Sequence, residues 1–314
     1  MGGTKYKRNT CIGLLILLAT VYILYNISAI KDYIIGATEG FERDVRAKGV
    51  IVDLIGGLGN QIFIYAGGLT ISKKFGLPLF ILPAGAGADT INIHSKTDYR
   101  YLFNKANAIE LNDERLTFAK KFTFKNGSLY ALYDLNELPV EEPAYIHIDY
   151  HYYQNYKIVK DVIPEIRDYI VPQLKKSYGT IINIATESSA FVHVRRGDYV
   201  VSGGGYRLLD IEYYRKGLDH LNGVQSIKQI YIISDDIVWC KEQEWATKKE
   251  LVYFDDPDEL KTLYLMSQCW AGAVISNSTF SCWGAFLGSY ERAEKIVYPS
   301  KSFMDSLPES WIKI

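Results

Sequence analysis

The chain has 314 residues, 48% of them hydrophobic and 23% charged, which excludes wholesale disorder and suggests about two domains. Lys and Arg number 35 against 36 Asp and Glu; without Lys5, Lys7 and Arg8 the body carries 32 against 36, an unsuitable balance for nucleic acid, where phosphate neutralisation dominates affinity. Four cysteines exclude a disulfide-built scaffold, and five histidines leave little material for a transition-metal site.

No charge occurs from residue 9 to residue 30, and sixteen of the twenty residues in 11–30 are apolar. Twenty helical residues span about 30 Å, the hydrocarbon thickness of a bilayer. The pattern predicts a transmembrane signal-anchor helix over 11–30, after a tail over 1–10 and before a polar stem over 31–49. Lys5, Lys7 and Arg8 precede the helix, whereas residues 31–48 hold four basic and four acidic side chains. That asymmetry puts the tail in the cytoplasm and the body on the lumenal side, a single-pass type II topology. A cleaved signal peptide is the alternative, but its apolar core runs roughly 7–15 residues and Ile27-Ser28-Ala29 is a weak cleavage site.

Residues 50–55 read as a buried strand, Gly56-Gly57-Leu58-Gly59 as a turn, 60–75 as a helix and 77–82 as a second strand, together a βαβ unit. Residues 84–150 mix polar and aromatic positions without a clean period and give no assignment. Within them Asn126-Gly127-Ser128 is a candidate glycosylation site for a lumenal protein. Strands resume at 190–194, 229–234, 251–254, 273–276 and 295–298, with helices at 210–222, 236–248, 257–271 and 279–290. Short strands separated by helices argue for parallel sheets covered on both faces. The expected fold is α/β, with two Rossmann-like halves over 50–160 and 161–314 and a cleft between them. Ligands in such sheets bind beyond the carboxyl ends of the strands.

Three segments fall at those ends. In Gly56-Gly57-Leu58-Gly59-Asn60-Gln61, glycines let a backbone approach a ligand and Asn60 and Gln61 suit hydroxyl-rich molecules; a simple tight turn accounts for it equally. Ile62 stands where a dinucleotide fingerprint wants a third small residue, and no acid follows the second strand, which disfavours an oxidoreductase. In His193-Val194-Arg195-Arg196-Gly197-Asp198-Tyr199 a strand delivers two guanidinium forks, which match phosphate oxygens. Neighbours on a strand point oppositely, so one arginine meets ligand while the other braces a carboxylate. In Ser276-Asn277-Ser278-Thr279-Phe280-Ser281-Cys282-Trp283-Gly284-Ala285 hydroxyls cluster where a helix starts. They either cap that helix or hold a phosphate.

Together these segments resemble glycosyltransferase family 11, the α-1,2-fucosyltransferases. Ser234-Asp235-Asp236 and Tyr153-Gln154 also match family segments, and the order agrees over about residues 50–290. Cys282 departs from the usual tryptophan, and Ile62 and Ile64 from the usual Met and Gln. The resemblance implies a GT-B-like fold, GDP-β-L-fucose as donor and a terminal galactoside as acceptor. It also implies transfer to the 2-hydroxyl with inversion, and no required metal.

Nucleotide-sugar transfer expels a diphosphate whose growing charge must be met by preorganised positive groups. Arg195 is favoured on the β-phosphate by family analogy. Arg196, Gly57, Gly59, Asn60, Asn277, Ser278, Thr279 and Ser281 are the further donor candidates. Asp198 and His193 are candidate proton acceptors, Asp198 alternatively orienting an arginine. Asn60, Gln61, Tyr152 and Tyr153 are candidates for the acceptor sugar. Asp256-Pro257-Asp258 has the form of a metal-binding pair but reads better as a helix cap. Rival readings keep GDP-fucose with another acceptor or linkage, or make the chain an inactive anchored binder of glycan or nucleotide sugar.

Overall fold

The computed structural model describes residues 48–83, 97–117, 119–123, 145–149, 152–201, 208–288, 295–302, 304 and 306–314. The expected tail, membrane helix and most of the stem, and Asn126, lie outside these residues. Among the described residues no helix is long and apolar enough to cross a membrane. All of them belong to one compact unit.

Eleven strands form two all-parallel sheets among the described residues. The first contains β1 (Gly49–Asp53), β2 (Leu79–Leu82), β3 (Ala106–Ala108), β4 (Ala119–Thr123) and β5 (Tyr145–Asp149), in the order β3-β2-β1-β5-β4. The second contains β6 (Ser189–Val194), β7 (Gln229–Ser234), β8 (Glu250–Phe254), β9 (Gly272–Val274), β10 (Lys295–Tyr298) and β11 (Ile312–Lys313), in the order β11-β10-β9-β6-β7-β8. β1 and β6 are buried along their whole length, which is why they read as near-continuous apolar runs. The expected βαβ unit is present: α1 (Leu58–Phe75) links β1 to its parallel neighbour β2. It ends at Gly76, whose φ of 65° suits a left-handed cap, with Lys73 and Lys74 in the last turn.

The unassigned stretch 84–150 contributes β3, β4 and β5. β5 is pinned to β1 by a buried pair, His147 Nε2 to Asp53 Oδ1 at 2.7 Å. After it come α2 (Tyr156–Val159) and α3 (Ile163–Tyr178), which buries Ile163, Ile166, Ile170 and Leu174. The second half adds α4 (Gly197–Val201), α5 (Ile211–Asn222), α6 (Ile237–Lys241), α7 (Glu259–Gln268) and α8 (Thr279–Leu287). The helix expected over 236–248 is only α6. Beyond it, side chains take up the chain's polar groups: Trp245 Nε1 donates to the Cys240 carbonyl at 2.8 Å and Thr247 Oγ1 to Asn222 Oδ1 at 2.6 Å.

α1 is apolar nearly all round because it is covered on two sides. It packs on β1 and β2 of its own sheet and on α8 of the other half. Phe63 meets the Trp283 ring at 5.0 Å and the Phe286 ring at 6.3 Å. This packing brings the start of α1 and the start of α8, two of the three sequence segments, to one place.

Candidate functional site

A cleft of about 1090 Å³ runs beyond the carboxyl ends of β1, β6, β7 and β8. Its walls contain the ends of all three segments.

Gly56 opens the first wall with φ 73°, a conformation glycine adopts without strain. Gly57 also lines the cleft and has open space where a side chain would stand. Gly59 has a different use: a Cβ there would sit 2.4 Å from the Phe280 backbone nitrogen, so glycine permits α1 and α8 to touch. Asn60 lines the cleft, and its Oδ1 accepts from Thr279 Oγ1 at 2.8 Å. Gln61 is corrected as an acceptor-sugar candidate. It is fully buried, its Nε2 donates to the Gly56 and Thr97 carbonyls, both at 3.0 Å, and its Oε1 accepts from the Tyr99 N–H at 3.4 Å. It holds the glycine loop from behind.

The two arginines after β6 separate as strand alternation requires. Arg195 faces the cleft, held at NH2 by Asp198 Oδ1 at 2.5 Å and at NH1 by Asp235 Oδ2 at 2.9 Å. Arg196 turns away. Its Nε donates to Asp236 Oδ2 at 3.0 Å and its guanidinium lies 3.9 Å from the Trp239 ring centroid. It is therefore corrected as a donor contact, and the carboxylate it braces is Asp236 rather than Asp198. His193 lines the cleft but is buried, its Nδ1 2.8 Å from Ser276 Oγ. Burial, and then the Arg195 charge, push its pKa down to about 3. A neutral imidazole so hard to protonate accepts a proton poorly at neutral pH, which corrects it as a general base.

At the third segment, Asn277, Ser278 and Thr279 line the cleft. Asn277 is 2% exposed and donates from Nδ2 to the Lys301 carbonyl at 3.2 Å. Ser281 is corrected as a donor ligand: it is buried, and its hydroxyl donates to the Ser278 carbonyl at 3.1 Å. Cys282 is buried in the core, as are Cys240 and Cys269, and all three are free thiols. Tyr152 is half-exposed on the cleft wall. Tyr153 is corrected as a stacking residue: it is 1% exposed, its ring lying over Gly67 of α1.

The helix starts around the cleft differ in one respect. α6 and α7 are capped by their own acids: Asp236 accepts from the Trp239 N–H, and Asp258 from the N–H groups of Leu260 and Lys261. Asp256 is engaged by Lys261 Nζ at 2.5 Å, and this bond holds its carboxyl below the usual range. The Asp256-Pro257-Asp258 stretch thus serves as a cap. α1 and α8 have no side-chain cap and no acid in the first turn. Their uncapped starts and Arg195 line one cleft, an arrangement suited to an anion.

Sequence reasoning missed Asp235, which fixes Arg195, and Gln154, Phe254 and Asp255, which also line the cleft. Ser234-Asp235-Asp236 at a strand end carried a usable signal for the first.

The chain resembles known proteins over most of its length. O-antigen biosynthesis glycosyltransferase WbnK of Escherichia coli is 26% identical, over 83% of this chain and 99% of that protein. An alpha-1,2-colitosyltransferase of Escherichia coli is 24% identical, over 84% of this chain and 98% of its own length. Galactoside alpha-(1,2)-fucosyltransferase 2 of Pongo pygmaeus is 27% identical, over 75% and 68% respectively. The model of glycosyl transferase family 11 matches residues 47–306, from β1 through all three cleft segments, and the chain belongs to that family.

Proposed function

We propose that the protein is an inverting galactoside 2-α-L-fucosyltransferase of GT-B-like architecture, moving L-fucose from GDP-β-L-fucose to the 2-hydroxyl of a terminal galactoside. The observation that carries the reading is that Arg195 and two uncapped helix starts line one cleft. The half over 161–314 holds the nucleotide sugar and the half over 50–160 presents the acceptor. The acceptor oxygen bonds to C1 of fucose as the bond from C1 to the β-phosphate oxygen breaks. GDP leaves with the electron pair, and Arg195 with the helix starts meets its charge. The acceptor proton passes to Asp198, the cleft carboxylate beside Arg195. Further along, Val238, Phe254 and the exposed carboxylate of Asp255 offer apolar faces and an acceptor for the N–H edge of guanine. No metal takes part, so activity is expected to survive EDTA.

The test is transfer from GDP-fucose to a panel of β-galactosides by the full chain in detergent, with GDP-colitose run alongside because a relative is named for that sugar. Arg195→Lys keeps the charge but loses the fork, and kcat is expected to fall at least about 100-fold while GDP affinity falls less. Near-normal kcat in folded Arg195→Lys overturns its role. Colitose transfer in place of fucose corrects the donor sugar. We further propose type II membrane anchoring through residues 11–30, in the Golgi if the host is eukaryotic.

A further inference from the structure

Side chains from both halves converge on Asn60. Its Oδ1 accepts from Gln154 Nε2 at 3.2 Å and from Thr279 Oγ1 at 2.8 Å. Gln154 follows β5, whereas Thr279 opens α8, and all three residues line the cleft. A carboxamide has one accepting end and one donating end, and its neighbours decide which faces a ligand. With Oδ1 engaged twice, Nδ2 is the end left for substrate. It stands over Gly56, 2.4 Å from where a Cβ would be, on the same wall.

The backbone before Gln154 is specialised. Tyr153 has φ 50°, in the left-handed region that residues other than glycine seldom occupy. Its side chain is buried over Gly67. That anchored, strained residue sits between Tyr152 and Gln154, which both reach the cleft.

We propose, resting on the transferase reading above, that Gln154 is a positioning residue. With Thr279 it locks the Asn60 carboxamide so that Nδ2 donates to an oxygen at the reacting centre. Gln154 touches no reacting atom in this scheme; it decides the polarity of the residue that does.

Gln154→Glu tests this because it keeps the shape and removes the donor. In the full-length enzyme at about pH 8 the new carboxylate faces Oδ1 and frees the amide to turn, and kcat is expected to fall about 100-fold. KM for GDP-fucose should change much less. As the pH is lowered toward about 4.5 the carboxyl regains a proton it can donate, so the variant's kcat relative to wild type should rise. Asp198, Asp235, Asp236, Asp255, Asp256, Glu259, Arg195 and His193 line the same cleft and are common to both proteins, so the ratio of variant to wild type isolates the introduced carboxyl. Thr279→Ser should restore most of what Thr279→Val loses. Full activity of Gln154→Glu at about pH 8 overturns the proposal, because the network then runs the other way, with Nδ2 donating to Gln154. A loss that does not change with pH also overturns it, since it shows a purely structural role.

Thermal unfolding separates this inference from the choice of sugar. At about pH 8 the Gln154→Glu melting temperature should drop by about 2–4 °C and recover on acidification, whichever sugar is moved. That pattern in a protein that transfers no fucose retains the lock and removes the fucose reading. A melting difference indifferent to pH removes the lock.

Discussion

Arg195 and Arg196 are adjacent and chemically identical, yet their surroundings give them different work. The first is set by Asp198 and Asp235 on the cleft, the second by Asp236 and the Trp239 ring behind it. Arg196→Lys is therefore expected to lower the melting temperature by removing the fork and the ring contact, with a smaller loss of kcat than Arg195→Lys. Alternation along the strand made it legible that the two would diverge; which one faces ligand is decided by Asp198, Asp235, Asp236 and Trp239, which only the folded second sheet brings together. His193 carries a pH prediction. Its pKa is near 6.5 in the unfolded chain and about 3 when folded, so between those values the unfolded state binds more protons. Its contribution is complete above about pH 6.5 and is lost as pH falls toward about 3, at up to about 1.4 kcal/mol per pH unit. His193→Gln should flatten the dependence of stability on pH in that window, measured by urea unfolding at several pH values. No limb of the pH–rate profile near 6.5 should belong to His193.

At the scale of elements, the start of α1 depends on its contact with α8. Gly59→Ala places a methyl group against the Thr279–Phe280 backbone, where no flexible side chain can yield. We expect it to destabilise the protein by about 1–3 kcal/mol and to reduce transfer by displacing Asn60 and Thr279, measured by denaturant unfolding alongside kcat. The sequence marked Gly59 as part of a ligand loop; its packing role appears only once the two helices are in place. Strands β6, β7 and β10 were legible because buried parallel strands are apolar on both faces. β3 was not, since Ala106–Ala108 is a three-residue edge strand with no apolar run, paired on one side by β2. α6 was read too long because the residues after Lys241 carry no glycine or proline, and the bond that ties Thr247 to Asn222 beyond it is a tertiary contact.

For the whole molecule, the two parallel sheets followed from alternating strands and helices, whereas the cleft's depth and its pairing of distant segments did not. Asn60 and Thr279 are 219 residues apart in the chain, and no local pattern announces their hydrogen bond. The topology proposal rests on the charge-free run and the basic residues before it. Protease added to sealed microsomes should leave the body intact, and the mature chain should retain residues 11–30; an N-terminus near residue 30 would show cleavage instead.

The seam where Phe63 meets Trp283 and Phe286 has a consequence for turnover. Three interlocked aromatic rings do not slide easily, so the seam holds α1 and α8 against each other. A lighter crossing contact, the Tyr99 hydroxyl on Glu259 Oε2 at 3.2 Å, can part and reform far more readily. If these parts of the molecule separate during turnover, as the transferase reading expects of product release, such single hydrogen bonds give way before the ring seam does. Turnover is then expected to slow as the solvent is made more viscous, and a kcat indifferent to viscosity counts against release-limited turnover.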